Sequence, residues 1–428
     1  MKTATIITQA LPERALAVTI RFWNHAYRDP WPEEESAREL KELISSCGLQ
    51  VVREHTVKSE DPHPGHLIGT GKAQEIHQIC HDHHLNVVIL SENLSAAQQG
   101  NLEDLVGVKV IDRTQLILDV FAQRATSQEG KVQVELAQLE YLLPRLAGKG
   151  VLLSRLGGGI GTRGPGEQKL EMDRRRIRQR INRLKKELQM IHRRRWTARR
   201  KREEEDVPTA ALIGYTNAGK STLLNRLTDA GAVAENRLFS TLDPLARRLI
   251  LPNHQAVLLS DTVGFIHRIP HDLIESFKAT LEEVTESHLL IHVIDSSHPV
   301  MEQQMEAVEE VLKELQADRK PRLLVFNKID RISRESQRQT QKRYPEGIFI
   351  SAASGEGVQV IVDRLCSSLS HRMRQAKILL PGESRHWLEK VYEHGVVLSR
   401  HETDKGLQLE ARIPLRLYGQ MEKAGLLK

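Results

Sequence analysis

The stretch Gly214-Tyr-Thr-Asn-Ala-Gly-Lys220-Ser221 decides how this chain is read. It fits the phosphate-binding pattern G-x-x-x-x-G-K-[ST] without mismatch. An apolar run from Thr209 to Ile213 precedes it, and a helical pattern with Leu223, Leu224 and Leu227 follows. A triphosphate concentrates several negative charges. A glycine-rich turn lets backbone N–H groups converge on them, and the following helix N-terminus adds a favourable dipole. Gly214, Tyr215, Thr216, Asn217, Ala218 and Gly219 are therefore expected to wrap the phosphates, with Thr222 beside them. Lys220 is expected to reach the β- and γ-phosphates, and Ser221 to ligate Mg²⁺.

Downstream motifs select the base. Asn327-Lys328-Ile329-Asp330 follows the apolar run Leu323 to Phe326. The Asp330 carboxylate can accept from the N1–H and N2–H₂ of guanine, whereas adenine would leave it unpaired; such polar mismatches discriminate strongly. Asn327 and the stem of Lys328 are expected to hold the loop and cover the base. Ser351, Ala352 and Ala353 close another apolar run and are expected to contact the base through backbone. Asp261-Thr262-Val263-Gly264 ends the run from Ala256. Its aspartate is expected to meet Mg²⁺ through water, and the Gly264 N–H to sense the γ-phosphate. The ordered set predicts an α/β fold with a doubly wound P-loop GTPase domain, the nucleotide lying at the carboxyl ends of the strands.

These motifs, in this order, resemble TRAFAC-class GTPases. Phe239-Ser-Thr241-Leu-Asp243 and Asp261-Thr-Val-Gly264-Phe265 look like the Obg–HflX branch. Gly158-Gly-Ile-Gly-Thr-Arg-Gly-Pro-Gly-Glu167 and Asp112-Arg-Thr-Gln-Leu-Ile-Leu-Asp119 narrow the resemblance to the HflX family, across nearly the whole chain. The resemblance implies a GTPase associated with the large (50S) ribosomal subunit and its rRNA. It implies that Thr241, with Phe239 nearby, belongs to a switch that closes on Mg²⁺ and the γ-phosphate, and that Gly158 to Glu167 reaches toward the peptidyl transferase centre.

Charge supports a nucleic-acid partner independently. The 428 residues carry a net charge of +6. Between Arg174 and Arg202 stand 15 basic residues and one acid, Glu187, so the rest of the chain carries 47 basic and 55 acidic residues. The whole basic excess sits in one short segment. Solvated faces mix signs, so a polyanion is the expected partner. No apolar run approaches the roughly 20 residues of a membrane helix, and no lipidation motif supports a membrane-signalling reading. The N-terminus turns polar early and three widely spaced cysteines form no framework, so a cytoplasmic monomer with free thiols is expected.

Four regions are expected. Residues 1–127 alternate strand and helix signals and predict a small α/β domain. Gly69-Thr-Gly-Lys72 within it reads as a strand-to-helix turn, and an ATP site without a recognisable motif stays open there. In residues 128–206, Val132, Leu136, Leu139, Leu143 and Leu146 share a 4-3-4-3 spacing with Ile177, Ile181, Leu184, Leu188 and Ile191, which predicts an antiparallel helical hairpin. The segment 148–166 holds eight of the 27 glycines and is expected to form a basic tip loop that probes irregular RNA. Residues 207–371 form the GTPase domain, and 372–428 a small α+β unit with a hairpin turn at Thr403–Gly406. His77, Cys80 and His81 share a helical face as metal ligands can, but no second ligand group lies nearby; a solvent-facing helix end is expected.

Lys220, Thr241 and Gly264 are the expected catalytic set. Many small GTPases carry a glutamine after the D-x-x-G glycine; here Phe265 stands there and cannot orient water. A slow isolated enzyme is expected, its water alignment supplied by a partner or by backbone and neighbouring residues, with His267 and Arg268 nearby. Asn217 leaves two readings open: a turn residue, or a ligand for K⁺ beside the phosphates. The leading functional expectation is a GTP-hydrolysing factor that splits or rescues stalled ribosomes. The alternative is an RNA-binding hairpin whose GTPase only tunes ribosome affinity.

Overall fold

The computed structural model describes residues 13–27, 29–154, 165–204, 207–228, 239, 245–253, 255–268, 270, 281–369, 373–381, 385–404 and 406–427. The chain divides into two compact units. The first runs to Leu188 and includes Phe239 and Pro270; the second holds the remaining described residues.

The first unit opens on a four-stranded parallel sheet of order β2-β1-β3-β4, formed by β1 (Arg14–Phe22), β2 (Gln50–Ser59), β3 (Val87–Leu90) and β4 (Lys109–Ile111). Helices α1 (Glu33–Ser46), α2 (Thr70–Asp82), α3 (Ala96–Val106) and α4 (Arg113–Arg124) alternate with the strands. Leu16, Val18, Ile20, Val88 and Leu90 pack against Ile76, Leu102 and Val106. Gly69 caps α2, as the turn reading expects. His77 bonds the Val106 carbonyl at 2.7 Å, and Cys80 sits in the core, where burial lifts its thiol to about 11.

The hairpin consists of α5 (Gln128–Ser154) and α6 (Pro165–Glu204). Val132 and Leu136 of α5 pack with Ile181, Leu184 and Leu188 of α6, and Leu139, Leu143 and Ile177 extend the seam. Arg180 holds Glu135 through two 2.7 Å bonds, and Lys185 meets Glu140 at 2.8 Å. The glycine-rich segment differs from expectation at its ends. Helix α5 continues through Gly148 and Gly150 to Ser154, and α6 begins at Pro165, so the expected loop narrows to 155–164, outside the described residues. Proline suits that first helical position, where its missing N–H costs nothing.

A polar knot fixes the middle of α5. Fully buried Asp112 caps α4 through the Gln115 N–H at 2.8 Å and accepts from Leu94 N–H at 3.1 Å. It also accepts from the Tyr141 hydroxyl at 2.7 Å and Arg145 Nη2 at 3.0 Å. The Arg145 guanidinium lies 3.4 Å over the Tyr141 ring and donates to the Leu94 carbonyl at 2.6 Å. A buried carboxylate is tolerable when so fully bonded. The Asp112–Asp119 signature thus plays a structural part, because its first residue ties the long helix to the sheet.

The second unit contains a six-stranded sheet of order β10-β9-β8-β5-β7-β6. Its strands are β5 (Thr209–Ile213), β6 (Leu245–Ile250), β7 (Ala256–Asp261), β8 (Leu289–Asp295), β9 (Arg322–Asn327) and β10 (Ile348–Phe349). All pairs are parallel except β6 with β7. Helices α7 (Lys220–Thr228), α8 (Glu282–Glu286), α9 (Met301–Glu314), α10 (Arg334–Arg343) and α11 (Val358–Leu369) connect them. Strand β5 lies between β7 and β8, so the chain reverses its direction of winding there. The loop after β5 therefore opens at the topological switch point, where open α/β sheets bind ligands. A separate three-stranded antiparallel sheet, order β11-β13-β12, joins β11 (Met373–Leu380), β12 (Val396–Thr403) and β13 (Gly406–Pro414) with α12 (Arg385–His394) and α13 (Leu415–Lys423). Thr403 pairs with Gly406 at the expected hairpin turn.

Candidate nucleotide site

Four strand ends of the six-stranded sheet, those of β5, β7, β9 and β10, build the site. After β5 the chain turns through Gly214 (φ 146°), Asn217 (φ 62°) and Gly219 (φ 98°) into α7. A Cβ at Gly219 would stand 2.3 Å from Asn327 Nδ2, so only glycine lets the two loops approach this closely. Exposed Asn217 takes the left-handed conformation that asparagine tolerates, which accounts for it through the backbone.

Lys220 is buried, and its Nζ donates to the Gly214 carbonyl at 3.1 Å and the Tyr215 carbonyl at 2.9 Å. Burial pulls the ammonium down to about 8 against the opposing pull of Asp261. Ser221 Oγ donates to Asp261 Oδ2 at 2.6 Å, with both residues buried. Thr262 Oγ1 ties the end of β7 to the Leu212 carbonyl at 2.6 Å, and Val263 is buried. Half-buried Thr222 follows Ser221 on α7.

The D-x-x-G end lies against the phosphate loop. Phe265 N–H donates to the Gly214 carbonyl at 3.1 Å, and Thr216 N–H to the Phe265 carbonyl at 2.7 Å. A Cβ at Gly264 would stand 3.0 Å from Lys220 Nζ, so backbone there passes directly beside the lysine. The Phe265 ring is 1% exposed; it is a core residue and cannot face water. Thr216 Oγ1 is buried without a hydrogen-bond partner among the described residues.

The base loop is tied to the phosphate loop by Asn327. Its Nδ2 donates to the Ala218 carbonyl at 2.8 Å, and its Oδ1 accepts from Ala352 N–H at 2.9 Å. Lys328 has φ 65° and extends its Nζ to Asp295 Oδ2 at 2.6 Å. Asp330 is exposed in the 3₁₀ turn Ile329–Arg331. Ser351 and Ala352 are buried, and Ala353 is exposed.

Of the residues singled out from sequence, the phosphate loop, the D-x-x-G segment, the N-K-x-D loop and Ser351–Ala353 come together. Phe239 belongs to the first unit, where its ring lies edge-on to Phe121 at 4.7 Å. Thr241 and most of the tip signature lie outside the described residues. Sequence reasoning missed three supports. Asp295, at the end of β8, holds Lys328; Arg226 bonds the Ala352 and Ala353 carbonyls at 3.3 and 2.5 Å; the Tyr215 hydroxyl accepts from His267 N–H at 2.7 Å. Only Asp295 carried a signal, an acid closing a long apolar run.

A switch-point phosphate loop, an aspartate beside its serine and an N-K-x-D loop tied to the phosphate loop define a P-loop GTPase. Four family models match the chain in order: GTP-binding GTPase N-terminal (34–122), GTP-binding GTPase middle region (124–202), 50S ribosome-binding GTPase (209–328) and HflX C-terminal domain (337–423). The GTPase HflX of Caldanaerobacter subterraneus is 45% identical, with 89% of this chain and 88% of the relative covered. That of Escherichia coli K12 is 41% identical, covering 91% of this chain and 92% of the relative. A solved structure of a GTP-binding protein from Sulfolobus solfataricus in complex with GDP aligns at TM-score 0.43 and 24% identity, over 84% of this chain and 99% of that one. The chain belongs to the HflX family of GTPases.

Proposed function

We propose that this chain is a GTP-switched factor that binds the large ribosomal subunit through its helical hairpin and its rRNA contacts, and separates or rescues stalled ribosomes. The observation that carries this reading is the hairpin itself. Helix α6 holds the chain's basic excess, and a buried seam and two cross-helix ion pairs brace it against α5. A rigid basic rod with a glycine-rich end suits irregular RNA, and its phosphate contacts make binding steeply salt-dependent.

In the nucleotide site, the loop from Gly214 to Ser221 would cradle the phosphates of GTP, and Asp330 would select guanine. The Ser221–Asp261 pair fits Mg²⁺: a hydroxyl and a buried carboxylate in contact form the hard oxygen set that ion takes. Mg²⁺ would neutralise β- and γ-phosphate charge when bound. Lys220 would exchange its bonds to loop carbonyls for phosphate oxygens. Gly264, beside Lys220, would report the γ-phosphate to Phe265 and the following segment. With Phe265 in the core, the attacking water is aligned by a group that the ribosome supplies or orders, and the isolated enzyme is slow.

The lysine makes a pH prediction. Burial pulls the Lys220 ammonium down to about 8, and phosphate charge would restore its full protonation. Above that pH, GTP binding must take up a proton; well below it, Lys220 is already charged and takes up none. Calorimetry at pH 8.5 in buffers of different ionisation enthalpy should show uptake of about half to one proton. Absence of uptake would contradict the burial assigned to Lys220.

The tip supplies the functional test. Replacing residues 155–164 with a short Gly-Ser linker should leave GTP affinity within about twofold, because the segment lies outside the nucleotide motifs. Subunit separation, followed by light scattering, should fall by tenfold or more. Undiminished separation would refute the role of the tip. Lost separation with preserved ribosome-stimulated hydrolysis would assign the tip to remodelling alone.

A further inference from the structure

Helix α10 has no buried residue. Its sequence, RESQRQTQKR, is polar on every side and holds four cations against one acid. Such a helix gains nothing from an apolar face. Its start is capped by Ser333, whose Oγ accepts from Ser336 N–H at 3.1 Å. Its cations are sorted by face. Arg343 bridges Glu302 on acidic α9. On the other side, Arg334, Arg338 and Lys342 follow at i, i+4 and i+8, and Arg331 precedes them from the 3₁₀ turn.

At about 100° per residue, Arg334, Arg338 and Lys342 span an arc of about 80° and advance about 6 Å per step. All four side chains of the stripe are exposed, and none has an ion-pair partner among the described residues. Like charges at i,i+4 destabilise a helix. Two such pairs in succession, Arg334–Arg338 and Arg338–Lys342, are an internal cost that the one acid of the helix, Glu335, offsets only in part. The remainder lies with a partner of opposite charge.

We propose that the α10 stripe is an RNA-docking surface of the GTPase domain, separate from the hairpin, which reads consecutive phosphates along one strand. The chemistry favours RNA. Three of the four cations are arginines, whose forked donors match phosphate oxygens. Gln341 and Gln337 flank the stripe and present amides suited to phosphate and ribose 2′-OH groups. A membrane surface is a poor match, because an interfacial helix needs an apolar face and α10 has none. The stripe follows directly on Asp330, so docked RNA would lie beside the base loop. This inference deepens the ribosome-binding reading and rests on it for the identity of the RNA.

The test uses the full-length chain with Arg334→Gln, Arg338→Gln and Lys342→Gln combined. Glutamine keeps helix propensity close to that of the replaced residues. GTP affinity and circular dichroism should match the unmodified protein. Two probes are titrated across salt: purified large ribosomal subunits and deproteinised large-subunit RNA. The slope of log affinity against log salt should fall by about 2 to 3 on both, as three lost phosphate contacts require. At low salt, affinity should drop tenfold or more. Unchanged slope and affinity on RNA would overturn the proposal. A loss confined to intact subunits would assign the stripe to an acidic protein surface and overturn the RNA assignment. If the unmodified chain fails to bind subunits, the ribosome-binding reading falls, and the RNA titration still decides the stripe.

Discussion

Asp330→Asn is expected to lower GTP affinity by about 10²–10⁴-fold and to raise affinity for xanthosine triphosphate. The carboxylate is exposed in the middle of the 3₁₀ turn after β9. The backbone around it is set by Asn327, which bonds Ala218 on one side and Ala352 on the other, and by Lys328, held by Asp295. The side chain is therefore pre-positioned rather than recruited. A carboxylate accepts two charge-assisted bonds from guanine N1–H and N2–H₂, each worth about 1.5–3 kcal/mol. An amide offers a donor where guanine also donates, so both bonds are compromised. Xanthine carries an oxygen at position 2 and suits the amide. Nucleotide titrations with both bases check this; unchanged GTP affinity would show that the base binds elsewhere.

Lys220→Ala is expected to weaken GTP binding by about 100-fold or more while the domain stays folded. The ammonium is buried, and burial pulls it down to about 8. Its two bonds to loop carbonyls offset part of the cost of burial, so its removal changes stability little. Against phosphate the balance reverses. The ammonium meets full negative charge in a site shielded from water, and loss of those bonds costs about 3 kcal/mol or more. Fluorescent-nucleotide binding and thermal unfolding, measured together, separate the two effects. Wild-type affinity in this variant would remove Lys220 from the phosphate site.

Much of this was legible because local chemistry dictated it. The phosphate loop, N-K-x-D and D-x-x-G each need particular residue types at fixed spacing, and each lies at the end of an apolar run. The hairpin seam was legible because 4-3-4-3 spacing has one geometric reading. The extent of the tip was misjudged: glycine content argued for a loop from 148, whereas α5 carries Gly148 and Gly150 through to Ser154. A cost of about 1 kcal/mol per glycine is too small to end a helix by itself. The contacts that lock the loops together had no local signal. Arg226 with Ala352 and Ala353 and Tyr215 with His267 join residues distant in sequence, and only the sheet order makes them neighbours. The Asp112 signature was recognised by resemblance, but its role in anchoring Tyr141 and Arg145 needed the fold.

The central claim is that bound GTP gates engagement of the large ribosomal subunit. The most direct measurement is co-sedimentation of the full-length chain with purified large subunits, loaded either with a non-hydrolysable GTP analogue or with GDP. The account predicts at least about tenfold tighter association in the analogue-bound state, a coupling of about 1.4 kcal/mol or more between the two sites. Equal association with both nucleotides, or association that needs neither, would contradict it.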